Sequence, residues 1–482
     1  MGLNNSMLFN SLEFAIFLSL VFFLHWFMPA ARKVKAQNLV ILLASYVFYG
    51  WWDWRFLFLM LFSTSLDFAV GLALSRTSKL SKRKALLYLS VVSNVALLCF
   101  FKYYNFFVDS LIEGFAGLNI DLGKRSLNVI LPIGISFYTF QTIGYTVDVY
   151  RKKVEATKDV LAYFTFVSFF PQLVAGPIER AQNLLPQFGK TRVFDYTLAK
   201  DGLRQILWGL FKKVVIADVI GVSVDKVFLS YDLHSGSTLF VGALLFAVQV
   251  YADFSAYADI AIGTGKLFGI RLMRNFNYPF FSTSFGEFWR RWHISLSLWF
   301  RDYVYIPLGG GRKSNLTRTR NIMIVFLLSG IWHGSNDLNF VVFGLAQGFL
   351  VVFSGYFISK TPDATSVSNV HWIPDFRQFC QMIVVFLMFA IPLIFFRAPT
   401  LDTGISYFSH MFSTSLLSRP MMLSAFVPVI VLLLIEWFHR HKEHPLTFDH
   451  WPALARWGVY YLLIFYISKT HIVSSPYIYF QF

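Results

Sequence analysis

His333 is the residue of this chain whose type and setting best suit acid–base chemistry. It ends an apolar run that begins at Asn321, between Gly330 and Gly334. If this run is helical, its twelve residues place His333 roughly 18 Å from the start, past the middle of a hydrocarbon core about 30 Å thick. An ionisable group at that depth indicates a functional site, and imidazole takes up protons near neutral pH. The two glycines let a substrate or another backbone approach closely. From the residues alone, two roles are open for His333: a catalytic base, or a packing histidine hydrogen-bonded to a neighbouring helix.

A second histidine, His293, lies 40 residues before His333 and follows Arg290, Arg291 and Trp292. Three roles are open for it from the residues alone. It can be a second base, an orienting partner for another group, or a packing residue in the protein interior.

Further polar and aromatic residues around these histidines are candidates for binding a donor or substrate. They are Arg290, Arg291, Arg301, Asp302, Tyr305, Arg312 and Trp332. The segment 271–320 carries nine basic and two acidic residues, a net charge of +7. Guanidinium groups suit the phosphates of a cytosolic donor, although lipid headgroups are the commoner partner of basic loops. The glycines at 309–311 can offer backbone N–H groups to a phosphate, but they lack the lysine and serine of a P-loop.

A histidine cluster near the end of the chain has a spacing that can bind metal. Its members are His439, His441, His444 and His450. The favoured interpretation is a basic loop at the membrane interface, and we predict neither a metal nor a permanently bound cofactor.

The composition requires a membrane as the setting for these residues. Of 482 residues, 56% are hydrophobic and 14% charged, whereas soluble domains are about 25% charged. This excludes a soluble enzyme, a disordered chain and a disulfide scaffold. The net charge of +16 indicates basic cytoplasmic loops beside anionic lipid rather than a nucleic-acid partner.

The hydropathy pattern predicts an all-α polytopic protein with eleven or twelve spans. The ranges are 7–28, 37–50, 55–75, 85–108, 128–149, 203–223, 237–264, 321–335, 336–357, 379–396, 421–438 and 451–470. Basic loops assign the cytoplasmic side, which puts both the N and the C terminus outside. We expect one domain over 1–482, with a core at 150–350 and a last helix and outer aromatic end at 451–482.

Two segments are too interrupted for simple spans. The first, 163–177, ends in prolines, and the second, 280–308, is aromatic but charged. Such segments occur at membrane depth only when they are buried in protein or line a wet cavity. We expect re-entrant or in-plane helices there.

The sequence resembles the membrane-bound O-acyltransferase family, and within it the bacterial alginate O-acetyltransferase branch. The resemblance rests on Phe288-Trp289-Arg290-Arg291-Trp292-His293-Ile294-Ser295-Leu296-Ser297, Arg301-Asp302-Tyr303, Tyr305-Ile306-Pro307-Leu308-Gly309-Gly310, Gly330-Ile331-Trp332-His333-Gly334, Met7-Leu8-Phe9-Asn10-Ser11 and Pro171-Gln172-Leu173-Val174-Ala175-Gly176-Pro177-Ile178. It runs along nearly the whole chain.

This resemblance implies a fold, an activity and partners. The fold is a ring of helices around a thin centre with a central tunnel. His333 is the catalytic histidine and His293 the second motif residue. Acetyl-CoA in the cytosol is the donor, and a periplasmic hydrolase-like partner completes acetylation of a polysaccharide. The location is the bacterial cytoplasmic (inner) membrane.

The chain ends with Tyr477-Ile478-Tyr479-Phe480-Gln481-Phe482. This ending is similar to the aromatic ending of a small partner peptide in teichoic-acid D-alanylation. It makes Tyr479 a candidate acyl relay on the outer side. The alternative is an interfacial aromatic belt.

The sequence therefore predicts a membrane O-acetyltransferase that transfers acetyl groups from cytosolic acetyl-CoA to an exported, alginate-like polysaccharide. A lipid or protein O-acyltransferase and a non-enzymatic exporter of polysaccharide or lipid are the alternatives. Consumption of acetyl-CoA by the purified protein separates the enzymes from the exporter.

Overall fold

The computed structural model describes residues 7–28, 33–118, 120, 129–174, 176–334, 337–357, 372–470 and 477–478. Helices dominate this part of the chain, and it contains no β-strand. The prediction of an all-α protein is therefore confirmed. Lipid offers no partner to a backbone N–H or C=O group, and a helix pairs all of its interior backbone groups within itself.

The chain divides into two compact units. The first consists of Met1–Gly202 and Thr264–Met273, and the second of Leu203–Gly263 and Arg274–Phe482. The helices wholly within the first unit are α1 (Leu12–Phe27), α2 (Val34–Asp53), α3 (Arg55–Arg76), α4 (Leu80–Ala116), α5 (Ile135–Tyr150), α6 (Val160–Ser168), α7 (Phe170–Leu173) and α8 (Ala181–Phe188).

The second unit contains the predicted chemistry. The chain enters it within α9 (Tyr196–Phe211) and leaves it briefly at the end of α11 (Gly236–Leu267). Its other α-helices are α10 (Asp218–Leu229), α12 (Phe285–Arg291), α13 (Ile294–Phe300), α14 (Asn315–His333), α15 (Asn339–Phe357), α16 (Phe376–Ala390), α17 (Leu393–Arg397), α18 (Leu401–Ser413), α19 (Phe426–Phe438) and α20 (Ala453–Lys469). Two π-helical segments, Lys212–Ala217 and Arg301–Tyr305, follow α9 and α13.

Several helices are long and apolar enough to cross a membrane. Within the described residues five qualify, namely Arg55–Arg76, Leu80–Ala116, Gly236–Leu267, Asn339–Tyr356 and Phe376–Arg397. Two shorter apolar helices are Leu12–Phe27 and Phe426–Phe438. Helix lies within each of the twelve ranges predicted from hydropathy. The protein is thus a multi-pass membrane protein.

Burial distinguishes the central helix of the second unit from lipid-facing helices. In α11, 83% of the apolar window is buried, against 17% in α4. The side chains of α11 pack into one hydrophobic core with α12, α16 and α19, through Tyr251, Phe288, Phe389 and Leu432. Burial of this extent is typical of a helix that packs against protein rather than lipid on most of its faces.

The two interrupted segments fold into short helices. The first contains α6 and α7, of nine and four residues. The second contains α12 and α13, of seven residues each, joined at His293. Seven residues of α-helix rise only about 10 Å, so neither α12 nor α13 crosses a bilayer by itself.

Candidate active site

One cavity in the second unit brings the two predicted histidines together. It has a volume of about 180 Å³, and both His293 and His333 line it. The remaining wall is mainly aromatic and aliphatic: Val250, Trp289, Trp292, Leu296, Phe300, Ile322, Val325, Phe326, Phe343, Phe389, Leu393 and Phe396. Three hydrophilic side chains besides the histidines and Arg301 reach it: Ser297, Tyr305 and Ser329.

His333 lies at the end of α14. The N–H of Gly334 donates to the Gly330 carbonyl at 3.1 Å and closes the last helical turn. The imidazole lies among aromatic rings, with centroid distances of 4.7 Å to Trp332 and 5.4 Å to Phe396. It is only partly buried, so the ring stays open to the cavity.

The glycines near His333 serve the packing of α14 against α15. A Cβ placed on Gly330 would clash with the carbonyl of Phe340, and one on Gly344 would clash with the carbonyl of Phe326. The sequence allowed either a substrate or another backbone to approach Gly330 closely. In the structure, the backbone of α15 does so. Small residues at such crossings let membrane helices pack closely.

A Gly344→Ala substitution is expected to push α15 from α14 and displace His333. Overpacking of this kind costs about 1–3 kcal/mol of stability. We expect a lower midpoint of thermal unfolding in detergent. Gly458→Ala in α20 is the matched control, because a Cβ there meets nothing within 4 Å. Equal melting temperatures for both variants would contradict this role of Gly344.

His293 is held in an unusual backbone conformation between α12 and α13. Its φ and ψ are 41° and 55°, the left-handed region that few non-glycine residues adopt. The ring is almost fully buried, 4.7 Å from the ring of Phe254, and Nδ1 lies 3.2 Å from Oδ1 of Asn275. Burial lowers the pKa of His293 to about 3, so this imidazole is neutral at pH 7. Strain of this kind concentrates at functional sites.

The candidate donor-binding residues fall into two groups by position. Arg301 and Tyr305 line the cavity, and Arg301 pairs with Asp302 at 2.7 Å. The Trp332 ring contacts both histidines, with centroids 4.7 Å from His333 and 6.4 Å from His293. Asp302 and Trp332 lie outside the cavity lining, as do Arg290, Arg291 and Arg312.

These last three arginines differ in their surroundings. Arg290 and Arg312 are exposed. Arg291 is buried, with its guanidinium 2.8 Å from Glu287 and donating to the Asn277 carbonyl at 3.1 Å. Both partners of this guanidinium are groups of the protein, so Arg291 stabilises α12.

The glycine loop at 309–311 is fixed beside the cavity. Gly310 donates its N–H to the Tyr305 carbonyl at 2.9 Å, and its own carbonyl accepts from Asn321 at 2.8 Å. Gly309 and Gly310 have φ values of 103° and 61°, which glycine adopts without strain. The loop therefore carries Arg312 and Lys313 next to the Tyr305 end of the cavity.

A buried charged cluster in the same unit escaped the sequence analysis. Lys213, in the first π-helical segment, pairs with Asp218 at 2.9 Å and with Asp253 at 2.7 Å. The other oxygen of Asp253 accepts the N–H of Ile478 at 2.8 Å, and the Tyr477 ring lies 4.5 Å from the Lys213 ammonium. The sequence shows these charged residues inside apolar runs, but it does not show which of them pair with one another. Tyr479 itself lies outside the described residues.

The histidine cluster near the end of the chain is dispersed. His444 is buried, His439 hydrogen-bonds the Ile435 carbonyl at 2.8 Å, and His441 and His450 are exposed. In the part of the chain that the structure describes, no three His, Cys, Asp or Glu side chains are grouped to hold a metal ion.

Comparison with known proteins identifies the family to which this chain belongs. The model of the membrane-bound O-acyltransferase family matches residues 51–394. The "Probable alginate O-acetylase AlgI" of Azotobacter vinelandii is 38% identical over 412 residues, which are 84% of this chain and 78% of that protein. The peptidoglycan O-acetyltransferase of Helicobacter pylori is 33% identical over 84% of this chain and 80% of its own. The teichoic acid D-alanyltransferase of Bacillus subtilis is 28% identical over 48% of this chain and 60% of its own.

Proposed function

We propose that this chain, which belongs to the membrane-bound O-acyltransferase family, transfers acetyl groups from acetyl-CoA to a hydroxyl group destined for a cell-envelope or exported polysaccharide. The observation that carries the proposal is the meeting of His293 and His333 in one cavity. Relatives named for alginate, peptidoglycan and teichoic acid all modify cell-envelope or exported polymers, and the alginate-modifying relative favours an alginate-like acceptor.

The shape and charge of the cavity support a short acyl thioester as the donor. Its volume of about 180 Å³ and its apolar wall suit a small acyl group; cavities of roughly 150 Å³ hold a benzene ring. Arg301 lies at the wall, and Arg312 follows the fixed glycine loop, so cations are available for the phosphates of CoA. Basic loops on the cytoplasmic side would place this donor in the cytosol and both termini outside, in a bacterial inner membrane.

The reaction follows from the chemistry of the imidazole. A nitrogen of His333 takes the proton of the acceptor hydroxyl as its oxygen attacks the thioester carbonyl carbon. The C–O bond forms, the C–S bond breaks, and the thiolate leaves with the proton returned by His333. No charge is left on either product. Trp332 and Phe396 enclose the ring and limit competing water.

The acceptor we propose is Tyr479, acting as a relay toward a periplasmic hydrolase-like partner. Tyr477 and Ile478 are buried, and Ile478 is bonded to Asp253 of α11. Asp253 lies three residues after Val250, which lines the cavity; residues three apart on a helix are neighbours, about 5–6 Å between their Cβ atoms. The anchored end of the chain therefore starts close to the cavity wall.

The test is incubation of the purified protein in liposomes with acetyl-CoA. We expect release of free CoA and a gain of one acetyl group on the C-terminal peptide by mass spectrometry, absent in Tyr479→Phe. CoA release without a labelled tail would replace the relay by direct transfer to another acceptor. No consumption of acetyl-CoA would contradict the enzyme and favour an exporter.

A further inference from the structure

Asn275 is the polar partner of His293. Its side chain is fully buried, and Oδ1 lies 3.2 Å from Nδ1 of His293. The same oxygen accepts from the backbone N–H of Ser295 at 3.3 Å and from its hydroxyl at 2.9 Å. One amide oxygen thus connects the histidine to the first turn of α13.

These contacts determine which atoms of His293 carry hydrogen. A backbone N–H can only donate, so the Asn275 atom that faces Ser295 must be the oxygen. An oxygen can only accept from the imidazole, so Nδ1 must carry the proton. A neutral imidazole has one N–H, and its other nitrogen, Nε2, then holds the basic lone pair. The burial that keeps the pKa of His293 near 3 maintains this neutral form.

We propose that Asn275 is a positioning residue that fixes His293 in the Nδ1–H form and so makes Nε2 its basic nitrogen for acyl transfer. This inference rests on the proposed function, because it assigns the state in which His293 serves the same cavity. His293 then takes part as a neutral acceptor or orienting group, and a packing role alone would not require a defined tautomer.

A second, smaller cavity supports this role from the other side of Asn275. It has a volume of about 20 Å³ and is lined by Asn275 together with ionisable groups: Lys212, Asp259, Arg274, Glu436, Glu443 and His444. Among the described residues, no protein group accepts a hydrogen bond from the amide nitrogen of Asn275. A cavity of this size has room for one water molecule. A water bonded to that nitrogen would hold the amide in the orientation that points its oxygen at His293.

The charged and titratable groups near Asn275 and His293 line the two cavities. In the small cavity Lys212 pairs with Asp259 at 2.7 Å, and Glu436 accepts from the Tyr251 hydroxyl at 2.8 Å. In the large cavity the ionisable groups are Arg301, Tyr305 and His333. Asn275 is a neutral spacer between the two sets.

The direct test is nitrogen NMR of the full chain in lipid, with ¹⁵N-labelled histidine and a His293→Asn sample to assign the signal by difference. We expect a protonated Nδ1 and an unprotonated Nε2 for His293 at pH 7. A protonated Nε2 would overturn the proposal. This measurement needs no enzymatic turnover, so it remains decisive even if the protein transfers no acetyl group.

Kinetics provide a second test. We expect Asn275→Ala to lower kcat roughly tenfold or more with little change in the KM for acetyl-CoA, because orientation of a base is lost. Asn275→Asp places a carboxylate at Nδ1 and favours the imidazolium. The acidic limb of the pH–rate profile should then move to higher pH by about one unit or more.

Asn277→Ala is the matched control, because the hydrogen bonds between Asn277 and Arg291 use the backbone N–H and C=O of Asn277, which alanine keeps. It should leave kcat and the pH profile unchanged. Folded Asn275 variants with the wild-type kcat and pH profile would overturn the proposal. If these variants do not fold, the NMR signal of the wild-type protein decides the question.

Discussion

Replacement of His333 by alanine is expected to lower acetyl transfer by about 10²- to 10⁴-fold, the range by which a positioned general base accelerates a reaction. The loss should appear in kcat, because the imidazole takes the proton only as the new C–O bond forms. The KM for acetyl-CoA should change little, since the basic groups near the cavity, such as Arg301, remain in place. The measurement is free CoA release by purified protein in liposomes.

The control for this variant is His450→Ala, which removes an exposed histidine from a loop distant in sequence. It should retain wild-type turnover. Both variants should keep the wild-type melting temperature within a few degrees, because His333 is only partly buried. Near-normal turnover of a folded His333→Ala protein would contradict a catalytic role for this residue.

Replacement of Lys213 by methionine is expected to produce the largest loss of stability of any single substitution considered. The side chains of Lys213, Asp218 and Asp253 are 1%, 4% and 3% exposed. Without the ammonium, two buried carboxylates face each other with no cation between them. Breaking a buried ion pair in this way costs about 3–5 kcal/mol. The measurement is the midpoint of thermal unfolding in detergent, which should fall sharply.

Lys226→Met in α10 is the matched control, because this lysine is exposed and the same charge is removed. It should cost less than about 1 kcal/mol. The double variant Lys213→Met with Asp253→Asn removes one of the two stranded charges and should recover part of the loss. A Lys213→Met protein as stable as Lys226→Met would show that the cluster is not a stabilising ion network.

The sequence predicted the helical architecture well because the membrane imposes it. Twenty or so consecutive apolar residues leave few alternatives to a helix, and helix is found in every predicted range. The sequence also showed where the helical spans are interrupted. Charged residues within 280–308 cannot face lipid, and the chain there forms short helices around His293.

The sequence singled out the two histidines that line the cavity, but it did not show their surroundings. His333 was recognisable from its depth in an apolar run, and His293 from the family motif. Asn275 carries no motif, and its contact with His293 depends on the left-handed turn at that histidine. Likewise, Arg291 was a candidate for phosphate, whereas the structure pairs it with Glu287 one helical turn away.

Partners distant in the chain were the least predictable. Lys213 meets Asp253 across 40 residues and two helices, and the Ile478 backbone reaches the same carboxylate. Hydropathy shows that such charges are buried, but it does not show which helices pack together. The same holds for Gly330 and Gly344, whose close approach follows from the crossing of α14 and α15.

The most direct test of the central claim is a cryo-electron microscopy structure of the protein in lipid with a non-hydrolysable analogue of acetyl-CoA. We predict that the acetyl carbonyl lies in the cavity within hydrogen-bonding reach of the His333 imidazole. The phosphates should lie near Arg301 and Arg312. An analogue bound elsewhere, or one whose acetyl group lies away from both His293 and His333, would contradict the account.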